Sequence, residues 1–403
     1  MQAKTGIDRT GASRSVWIRQ TIVGLMMLPL SVVPFLAYFN LTPEGALLWA
    51  RVRTSLITPK LPQLNPEDRV WIEGHSPNFR GRVALLLWHG IGSTSDSDGG
   101  FSISPERFGE QLAALEAAGI NTVTARDIAL AFSNSQELPR NAAMISFDDG
   151  RADAMLYADP LLKQAGMKAT MFVITTAAAS SAIYYASWDE LRDYADTGRW
   201  DIQSHSADSH HEQAVTGGET LPVLTSLAPH EDLEDYRLRV EQDLRRASEA
   251  IESHVGVRPV AFAYPFGAYG GIYDSDRHNH PRIGSALRTI ARQYSIAFDQ
   301  DDQLSWGLAA CEDDPFHLHR LEVGDWSGRE LVDRISKAAD EVDGPGCSEY
   351  AAGDHRLAGR RVTRACLSDR CISANWSSSR SSTDVRSCHT RTSSQAHRCS
   401  HRL

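Results

Sequence analysis

Cysteine is scarce in the first 343 residues of this 403-residue chain, and basic residues there are outnumbered by acidic ones. That part contains a single cysteine, Cys311, so it cannot form a disulfide of its own, and cysteine usage does not indicate its compartment. The last 60 residues carry 10 Arg, no Lys and 4 acidic residues, a charge of +6, so the total of -10 leaves -16 on the rest. Nucleic-acid binding needs a basic surface. The acidic body therefore gives no reason to expect nucleic acid as a partner.

Periodic patterning is absent from residues 344–403, which are rich in Ser, Arg and Cys. Cys366 and Cys371, with His389 and His397 nearby, do not have the spacing of a standard zinc site. Low apolar content together with positive charge is typical of segments that form no packed core. The sequence predicts a disordered, low-complexity tail.

Residues 1–40 begin with four basic residues and continue into an uncharged apolar run at 21–39. A run of this length can span the hydrocarbon core of a bilayer, and a cleaved signal peptide or a buried helix are the alternatives. No small-x-small cleavage site follows, which favours an uncleaved transmembrane anchor. We expect the rest of the chain to lie outside the cytoplasm, at the cell surface or in the periplasm. Residues 41–80 are predicted to be a linker, because Pro59, Pro62 and Pro66 interrupt regular structure there.

Short β-rich runs alternate with amphipathic helical patterns between residues 81 and 343. The predicted strands are 83–88, 121–124, 142–147, 169–175, 200–204, 259–263, 294–298 and 317–323. The predicted helices are 105–118, 152–165, 188–195, 233–254, 283–292 and 328–339. Seven or eight βα repeats predict a single α/β domain, a distorted (β/α) barrel of about seven strands. A doubly wound open sheet has a similar alternation, and the pattern does not separate the two.

Two adjacent carboxylates, Asp148 and Asp149, directly follow the apolar run 142–147 and precede Gly150. Asp tolerates turn geometry and Gly accepts positive φ, so this motif alone is more often a turn than a site. Two carboxylates this close cannot both act as simple anions, and a metal ion that neutralises one leaves the other basic.

Histidines follow the run 200–204: first His205, then the adjacent pair His210 and His211. A lone histidine at a strand end is more often a surface residue than a ligand, and at most one of the adjacent pair is expected to join His205 on a metal. One carboxylate and two imidazoles form a ligand set for a divalent ion. With a second carboxylate free beside them, they provide what metal-assisted hydrolysis at neutral pH requires.

Polar residues also end two further runs: His89 follows 83–88, and the turn 264–267 follows 259–263. Active sites of (β/α) barrels lie at the carboxyl ends of the strands, so these groups are expected on one rim with the others. His317 and His319 alternate on the last strand and so share a face that could line the barrel. The sequence assigns neither a function.

Four segments resemble the signature blocks of NodB-type polysaccharide deacetylases, carbohydrate esterase family four. They are Leu86-Leu87-Trp88-His89, Phe147-Asp148-Asp149-Gly150, Ser204-His205 with His210, and Ala263-Tyr264-Pro265-Phe266-Gly267. The resemblance covers about residues 82–340 and is greatest to the branch that deacetylates poly-β-1,6-N-acetylglucosamine. In that branch the histidine block precedes the Asp-Asp block, as His89 does here, and four residues separate the ligand histidines.

The resemblance implies a hydrolase that removes N-acetyl groups from an N-acetylglucosamine-containing polysaccharide. It implies that Asp149, His205 and His210 bind one divalent metal. Two imidazoles and a carboxylate suit zinc, and cobalt, nickel or iron also fit. Peptidoglycan, chitin-like oligomers and O-acetylated glycans stay open as substrates.

The resemblance further implies that Asp148 is the general base and His89 the general acid. The backbone amide of Phe266 would donate to the oxyanion, within a turn where Tyr264 and Pro265 would contact substrate.

One position departs from the family pattern: Ala263 stands where most members have an arginine that holds the base aspartate. The orientation of Asp148 must therefore come from elsewhere in the chain. The departure also leaves open a non-catalytic glycan-binding module on a degenerate deacetylase barrel. A metal phosphodiesterase is a weaker alternative, because it would usually need two metals and more carboxylates than this rim offers.

Overall fold

A computed structural model describes residues 38, 42–56, 59–92, 102–133, 135–180, 182–270, 281–301 and 306–341, with 366–367 and 370–371 in the tail. The chain divides into two compact units, residues 1–353 and 354–403. In the second unit, the described residues form one antiparallel pair, Cys366–Leu367 with Arg370–Cys371. The predicted membrane anchor, apart from Tyr38, and most of the predicted tail lie outside the described residues. Within the described ranges, no helix is both long and apolar enough to cross a membrane.

Thirteen strands are described in the first unit, and seven of them form a closed parallel barrel. In chain order they are β1 (Arg82–Trp88), β2 (Gly90–Ile91), β3 (Ser102–Ile103), β4 (Asn121–Val123), β5 (Ala142–Phe147), β6 (Ala169–Val173), β7 (Trp200–Ser204), β8 (Glu212–Ala214), β9 (Thr220–Pro222), β10 (Ala261–Ala263), β11 (Ile296–Asp301), β12 (Ala309–Ala310) and β13 (Leu318–Glu322). The ring runs β1-β5-β6-β7-β10-β11-β13 and returns to β1. The predicted barrel of about seven strands is thereby confirmed, and the open sheet is excluded.

The barrel closes because its strands are apolar on both faces. Every residue of β1, β5 and β6 is buried. The inner faces pack on one another, as in the contact of Phe172 with Phe298 at 5.6 Å between ring centres. The outer faces are covered by helices, which is the arrangement that a continuous apolar strand requires. All eight predicted strands form; β4 lies beside β5 outside the ring.

Ten helices are described. In chain order they are α1 (Pro43–Leu56), α2 (Pro66–Gly74), α3 (Pro105–Ala117), α4 (Ala125–Phe132), α5 (Ala152–Ala165), α6 (Thr175–Ala178), α7 (Trp188–Asp196), α8 (Leu233–Val255), α9 (Pro281–Ala291) and α10 (Gly328–Asp340). All six predicted helices form. The short α4 was not predicted from the sequence; its eight residues are held by a capping box between Thr124 and Asp127.

The segment predicted as a linker, 41–80, contains α1 and α2 instead of being irregular throughout. Pro66 does not break structure there, because it occupies the first turn of α2, where a proline lacks no hydrogen bond. Asn65 caps that helix by accepting from Glu67 N at 2.9 Å, and Ile72 of α2 is fully buried. This part of the chain packs on the barrel domain. Residues 212–231 contain the antiparallel pair β8–β9 and a 3₁₀ turn at Val223–Thr225.

Candidate metal centre and catalytic residues

Asp149, His205 and His210 converge at the carboxyl ends of β5 and β7. Asp149 Oδ1 lies 3.6 Å from His205 Nε2 and 3.3 Å from His210 Nε2. With zinc–ligand bonds of about 2.0–2.1 Å, neighbouring ligand atoms of a tetrahedral site are about 3.3 Å apart. Asp149 Oδ1 is also buried and has no hydrogen-bond partner in the part of the chain that the structure describes. The three side chains therefore fit one divalent ion, which would compensate that oxygen.

His205 is held in the form that binds a metal. Its ring is buried, and Nδ1 lies 2.9 Å from the carbonyl oxygen of Ala263. Donation from Nδ1–H to that carbonyl leaves the lone pair on Nε2, which faces Asp149. Burial lowers the pKa of His205 to about 4, against the opposing effect of the nearby carboxylates. The imidazole is therefore neutral at pH 7.

Both carboxylates of the Asp-Asp pair face the same imidazole. Asp148 Oδ2 is 3.9 Å and Asp149 Oδ1 is 3.6 Å from His205 Nε2. Neighbouring side chains of a continuing strand would point to opposite faces. Here the chain leaves β5 sharply, because Asp149 adopts φ of 70° and Gly150 φ of 75°. Positive φ at a residue other than glycine is strained, and such strain is often found at active sites.

The loop that carries His210 is anchored by Asp243 on α8. The buried carboxylate of Asp243 accepts hydrogen bonds from the backbone N–H groups of Ala207 at 3.0 Å and Asp208 at 2.9 Å. Burial raises the pKa of Asp243, although these donors oppose the effect. Asp243 was not predicted from the sequence. Its only signal was an acidic side chain on the apolar stripe of a helix.

Asp148 is clamped by Arg320, which the sequence analysis also missed. The two terminal nitrogens of Arg320 donate to the two carboxylate oxygens of Asp148, each at 2.7 Å, and both side chains are buried. Burial alone would raise the pKa of Asp148, but the Arg320 guanidinium and the nearby His205 hold that pKa well below its usual range. Arg320 thus performs the holding function that Ala263 cannot. Its sequence signal was a lone arginine inside an apolar strand, since buried arginines are almost always paired.

His89 lies at the end of β1 with a carboxylate behind it. His89 Nδ1 is 3.5 Å from Oε1 of Glu322, the last residue of β13. Gln300 Nε2 in turn donates to Glu322 Oε2 at 2.7 Å. His89 is near enough to Asp148 for its charge to contribute to the low pKa of that carboxyl. The His89 imidazole therefore lies on the same rim as the metal-binding triad, Asp149, His205 and His210. Glu322 is a further residue that was not predicted from the sequence.

Residues of the turn 264–267 lie partly in the core and partly at the site. Tyr264 is fully buried and its hydroxyl donates to the carbonyl of Phe316 at 3.0 Å, so the expectation that its side chain contacts substrate is corrected. Pro265 is buried as well. Phe266 is 48% exposed, has φ of 60°, and its ring lies 4.4 Å from that of His210. Only Phe266 brings this turn to the metal centre.

Three neighbouring residues with polar side chains are not part of the metal-ligand set. His211 is exposed and belongs to neither of the groups that could hold a metal among the described residues. Asp208 accepts a hydrogen bond from the Thr176 hydroxyl at 3.3 Å, a contact between its loop and α6. Tyr184 is 38% exposed, and the guanidinium of Arg151 lies 4.9 Å from its ring centre.

Comparison with known proteins agrees with this site. Residues 135–279 match the family model for polysaccharide deacetylase. The chain is 25% identical over 227 residues to the poly-beta-1,6-N-acetyl-D-glucosamine N-deacetylase of Escherichia coli (strain K12), a match that covers 51% of this chain and 34% of that protein. It is 24% identical over 231 residues to the enzyme of the same name from Staphylococcus epidermidis, covering 50% of this chain and 74% of that protein. The matched part thus spans about a third of the length of the Escherichia coli relative.

A solved structure has the same fold. The de-N-acetylase from Aggregatibacter actinomycetemcomitans superposes with a TM-score of 0.52 at 20% identity, covering 62% of this chain and 98% of that chain. The family match contains the Asp-Asp pair and both histidines of the triad. Residues 135–279 of the chain therefore match the polysaccharide deacetylase family, the NodB type of carbohydrate esterase family four.

Proposed function

We propose that this protein removes N-acetyl groups from a polymer of N-acetylglucosamine by metal-dependent hydrolysis. The observation that supports the proposal most directly is the convergence of Asp149, His205 and His210 beside Asp148. These three side chains form a metal-ligand set without Asp148, which leaves its carboxylate free to act as a base. Binding a glycan would need neither an ionised acid held in place nor a metal. Zinc suits this ligand set, and cobalt, nickel and iron are the alternatives.

A divalent ion held by the triad would supply positive charge that polarises an acetamide carbonyl and acidifies a water molecule. Asp148 accepts the proton of the attacking water, and Arg320 keeps that carboxylate ionised and fixed in direction. An amine leaves readily only when it is protonated, so His89 donates the second proton. Glu322, 3.5 Å from the His89 ring, stabilises the charged imidazole before the transfer.

The backbone N–H of Phe266 is the proposed oxyanion donor. Phe266 lies beside His210 in a left-handed conformation, on a turn whose other residues are buried. A turn fixed in this way can hold an N–H group ready for the developing charge, and one such donor contributes about 3 kcal/mol to transition-state stabilisation. The half-exposed ring of Phe266 then provides an apolar face for a sugar at the mouth of the site.

The proposed substrate is poly-β-1,6-N-acetylglucosamine, since both curated relatives described above carry that name. To test it, full-length protein stripped of metal is supplied with zinc, cobalt or nickel. It is then given β-1,6- or β-1,4-linked N-acetylglucosamine oligomers. We expect release of free amine and acetate only with metal present, and faster release from the β-1,6-linked oligomer. Unchanged release after removal of the metal would contradict the mechanism.

Asp148→Asn separates the proposal from the alternative of a non-catalytic glycan-binding module. We expect this variant to keep its metal and lose turnover, while Asp208→Asn, a change at an exposed carboxylate on the same rim, keeps both. Oligomer binding without amine release by the wild-type protein would favour the binding module. The bidentate clamp by Arg320 supports catalysis, because it supplies the orientation that Ala263 leaves missing.

We further propose that the domain works outside the cytoplasm, attached by the apolar segment 21–39. The uncharged length of that segment and the four basic residues before it support the proposal. Fractionation of cells that express the full chain, followed by protease treatment of intact cells or spheroplasts, tests it. Recovery of the protein in the soluble cytoplasmic fraction would contradict it.

A further inference from the structure

A second cluster of one carboxylate and two imidazoles lies on the outer face of the barrel, the face that the helices cover. Asp299 is on β11, His319 is on β13, and His317 precedes β13 by one residue. His317 Nε2 is 2.7 Å from Asp299 Oδ2, and His319 Nδ1 is 3.0 Å from Asp299 Oδ1. Apart from the triad, this is the other group among the described residues with donor atoms close enough to share an ion.

The two histidines do not line the barrel interior, as their alternation on one strand could suggest. Leu318 packs in the inner cluster with Phe298 and Phe172, and Arg320 reaches inward to Asp148. The alternate residues 317 and 319 therefore face outward. Asp299 and His319 are register partners of the parallel pair β11–β13, which places their side chains on the same outer face.

The buried Asp299 carboxylate requires a compensating charge, either a bound cation or the protonated imidazoles of His317 and His319. The Asp299 side chain is 1% exposed, and neither of its oxygens nor His317 Nε2 has a hydrogen bond of regular direction among the described residues. The 2.7 Å contact thus lies away from the axis of the ring N–H. A ligand nitrogen directed at a metal has this relation to a neighbouring ligand oxygen, because both atoms point at the ion and not at each other.

The spacing of the donor atoms fits an ion with ligands at right angles. With metal–ligand bonds of about 2.1 Å, atoms at right angles are about 3.0 Å apart. The two nitrogen–oxygen distances are close to this value and reach different oxygens of Asp299, so one ion would use both carboxylate oxygens. His317 and His319 are 26% and 35% exposed, so an ion can enter from solvent and complete its shell with water. Imidazole and carboxylate ligands select zinc, cobalt or nickel over magnesium or calcium.

We propose that Asp299, His317 and His319 form a second site for a divalent transition metal. This site is separate from the metal-binding triad of Asp149, His205 and His210, and its role is structural. An ion there joins β11 to β13 across the outside of the barrel. Arg320 is the neighbour of His319, and its Nε donates to the backbone carbonyl of Asp299 at 3.1 Å. The site therefore holds both strands that position the arginine clamp on Asp148.

Metal stoichiometry tests this inference with a readout that does not depend on turnover. Full-length protein stripped by a chelator is titrated with zinc, and bound metal is measured by calorimetry and elemental analysis. We expect two equivalents for the wild type and one for His319→Gln or His317→Gln. His254→Gln, a change at a histidine stacked on Trp188 away from both sites, should retain two. His319 is partly exposed, so its variant is expected to fold, which circular dichroism checks.

A single equivalent in the wild type that His319→Gln and His317→Gln both leave intact would overturn the inference, and would indicate that protonated imidazoles compensate Asp299. A different result would contradict the proposed catalytic function: His210→Gln would bind as many equivalents of zinc as the wild type. The double variant His210→Gln/His319→Gln is expected to bind none, and a full equivalent in it would also contradict the second site.

Discussion

Arg320 holds Asp148 by two parallel hydrogen bonds of 2.7 Å, between side chains that are 172 residues apart in sequence and both buried in the barrel. A bidentate guanidinium fixes the plane of a carboxylate as well as its charge. Asp148 is therefore oriented before substrate arrives. The clamp comes from β13, which only β11 separates in the ring from β10, the strand that ends at Ala263, where the family pattern has its arginine.

Arg320→Met should abolish most deacetylation and shift the acid limb of the pH–rate profile to higher pH. With Arg320 present, the pKa of Asp148 is below its usual value, so the ionised form stabilises the fold above the unfolded pKa of about 4 and loses this effect as pH falls through the folded pKa. Without Arg320, burial raises that pKa. Loss of one partner from a buried pair costs about 3–5 kcal/mol. Denaturant unfolding and kcat/KM against pH measure both effects.

Arg245→Met, which removes an exposed arginine on α8, is the control and should leave both quantities unchanged. The double variant Arg320→Met/Asp148→Asn should recover stability but not turnover, since it leaves no unpaired buried charge. A pH–rate profile of Arg320→Met that coincides with that of the wild type would refute the positioning role.

Asp243→Asn should weaken metal binding by about 10–100-fold, as loss of a group that orients a ligand usually does. The asparagine amide cannot accept from both N–H groups of residues 207 and 208, so the loop that carries His210 loses its anchor. Glu249→Gln, on an exposed part of the same helix, is the control. Competition with a metallochromic chelator measures the affinity. Equal affinities for Asp243→Asn and Glu249→Gln would contradict the prediction.

The metal-free protein should lose stability as pH falls from about 6.5 to about 4, in part through His205. Its folded pKa is lowered to about 4 by burial, so the neutral form is favoured in the fold; its stabilising effect is complete above the unfolded pKa and declines below it. The difference corresponds to about 3 kcal/mol. Urea unfolding at several pH values measures it, and His205→Gln should have a shallower dependence over that range. An identical slope in the variant would count against a buried neutral imidazole.

Phe266→Ala should raise KM for the glycan with a smaller effect on kcat, because it removes the exposed ring beside His210 and keeps the backbone N–H. Aromatic contacts contribute about 0.5–1.5 kcal/mol beyond buried area, which corresponds to roughly a tenfold change at most. Leu238→Ala removes a similarly exposed apolar side chain from α8 and serves as the control. A loss confined to kcat would show that the ring acts on the reaction and not on binding.

Gly267→Ala should destabilise the domain much more than Gly218→Ala. Both glycines have positive φ, of 66° and 86°, so both variants carry a similar backbone cost of about 1–2 kcal/mol. A Cβ at Gly267 would lie 2.8 Å from the carbonyl oxygen of Gln300, whereas one at Gly218 meets nothing within 4 Å. Urea midpoints of the two variants measure the difference. Equal midpoints would show that β11 moves freely away from the turn.

Residue patterns alone were sufficient to predict the barrel strands and the polar residues that end them. Apolar runs buried on both faces can pair only as a parallel sheet covered by helices, and polar groups at their carboxyl ends must then share one rim. Asp148, Asp149, His205 and His89 were identified for this reason. The choice of His210 over His211 was implied only by the family spacing, and the structure shows which imidazole faces Asp149.

What only the tertiary structure decided is the set of side chains that support those residues. Arg320, Asp243 and Glu322 act on Asp148, on the His210 loop and on His89 from elements distant in sequence, and no local period marks such a contact. The direction of a side chain matters in the same way: Tyr264 is adjacent to the site in sequence but points into the core. Ring closure brings β13 beside β1 and β11, and that closure alone places the buried Arg320 on Asp148 and the Asp299 cluster behind it.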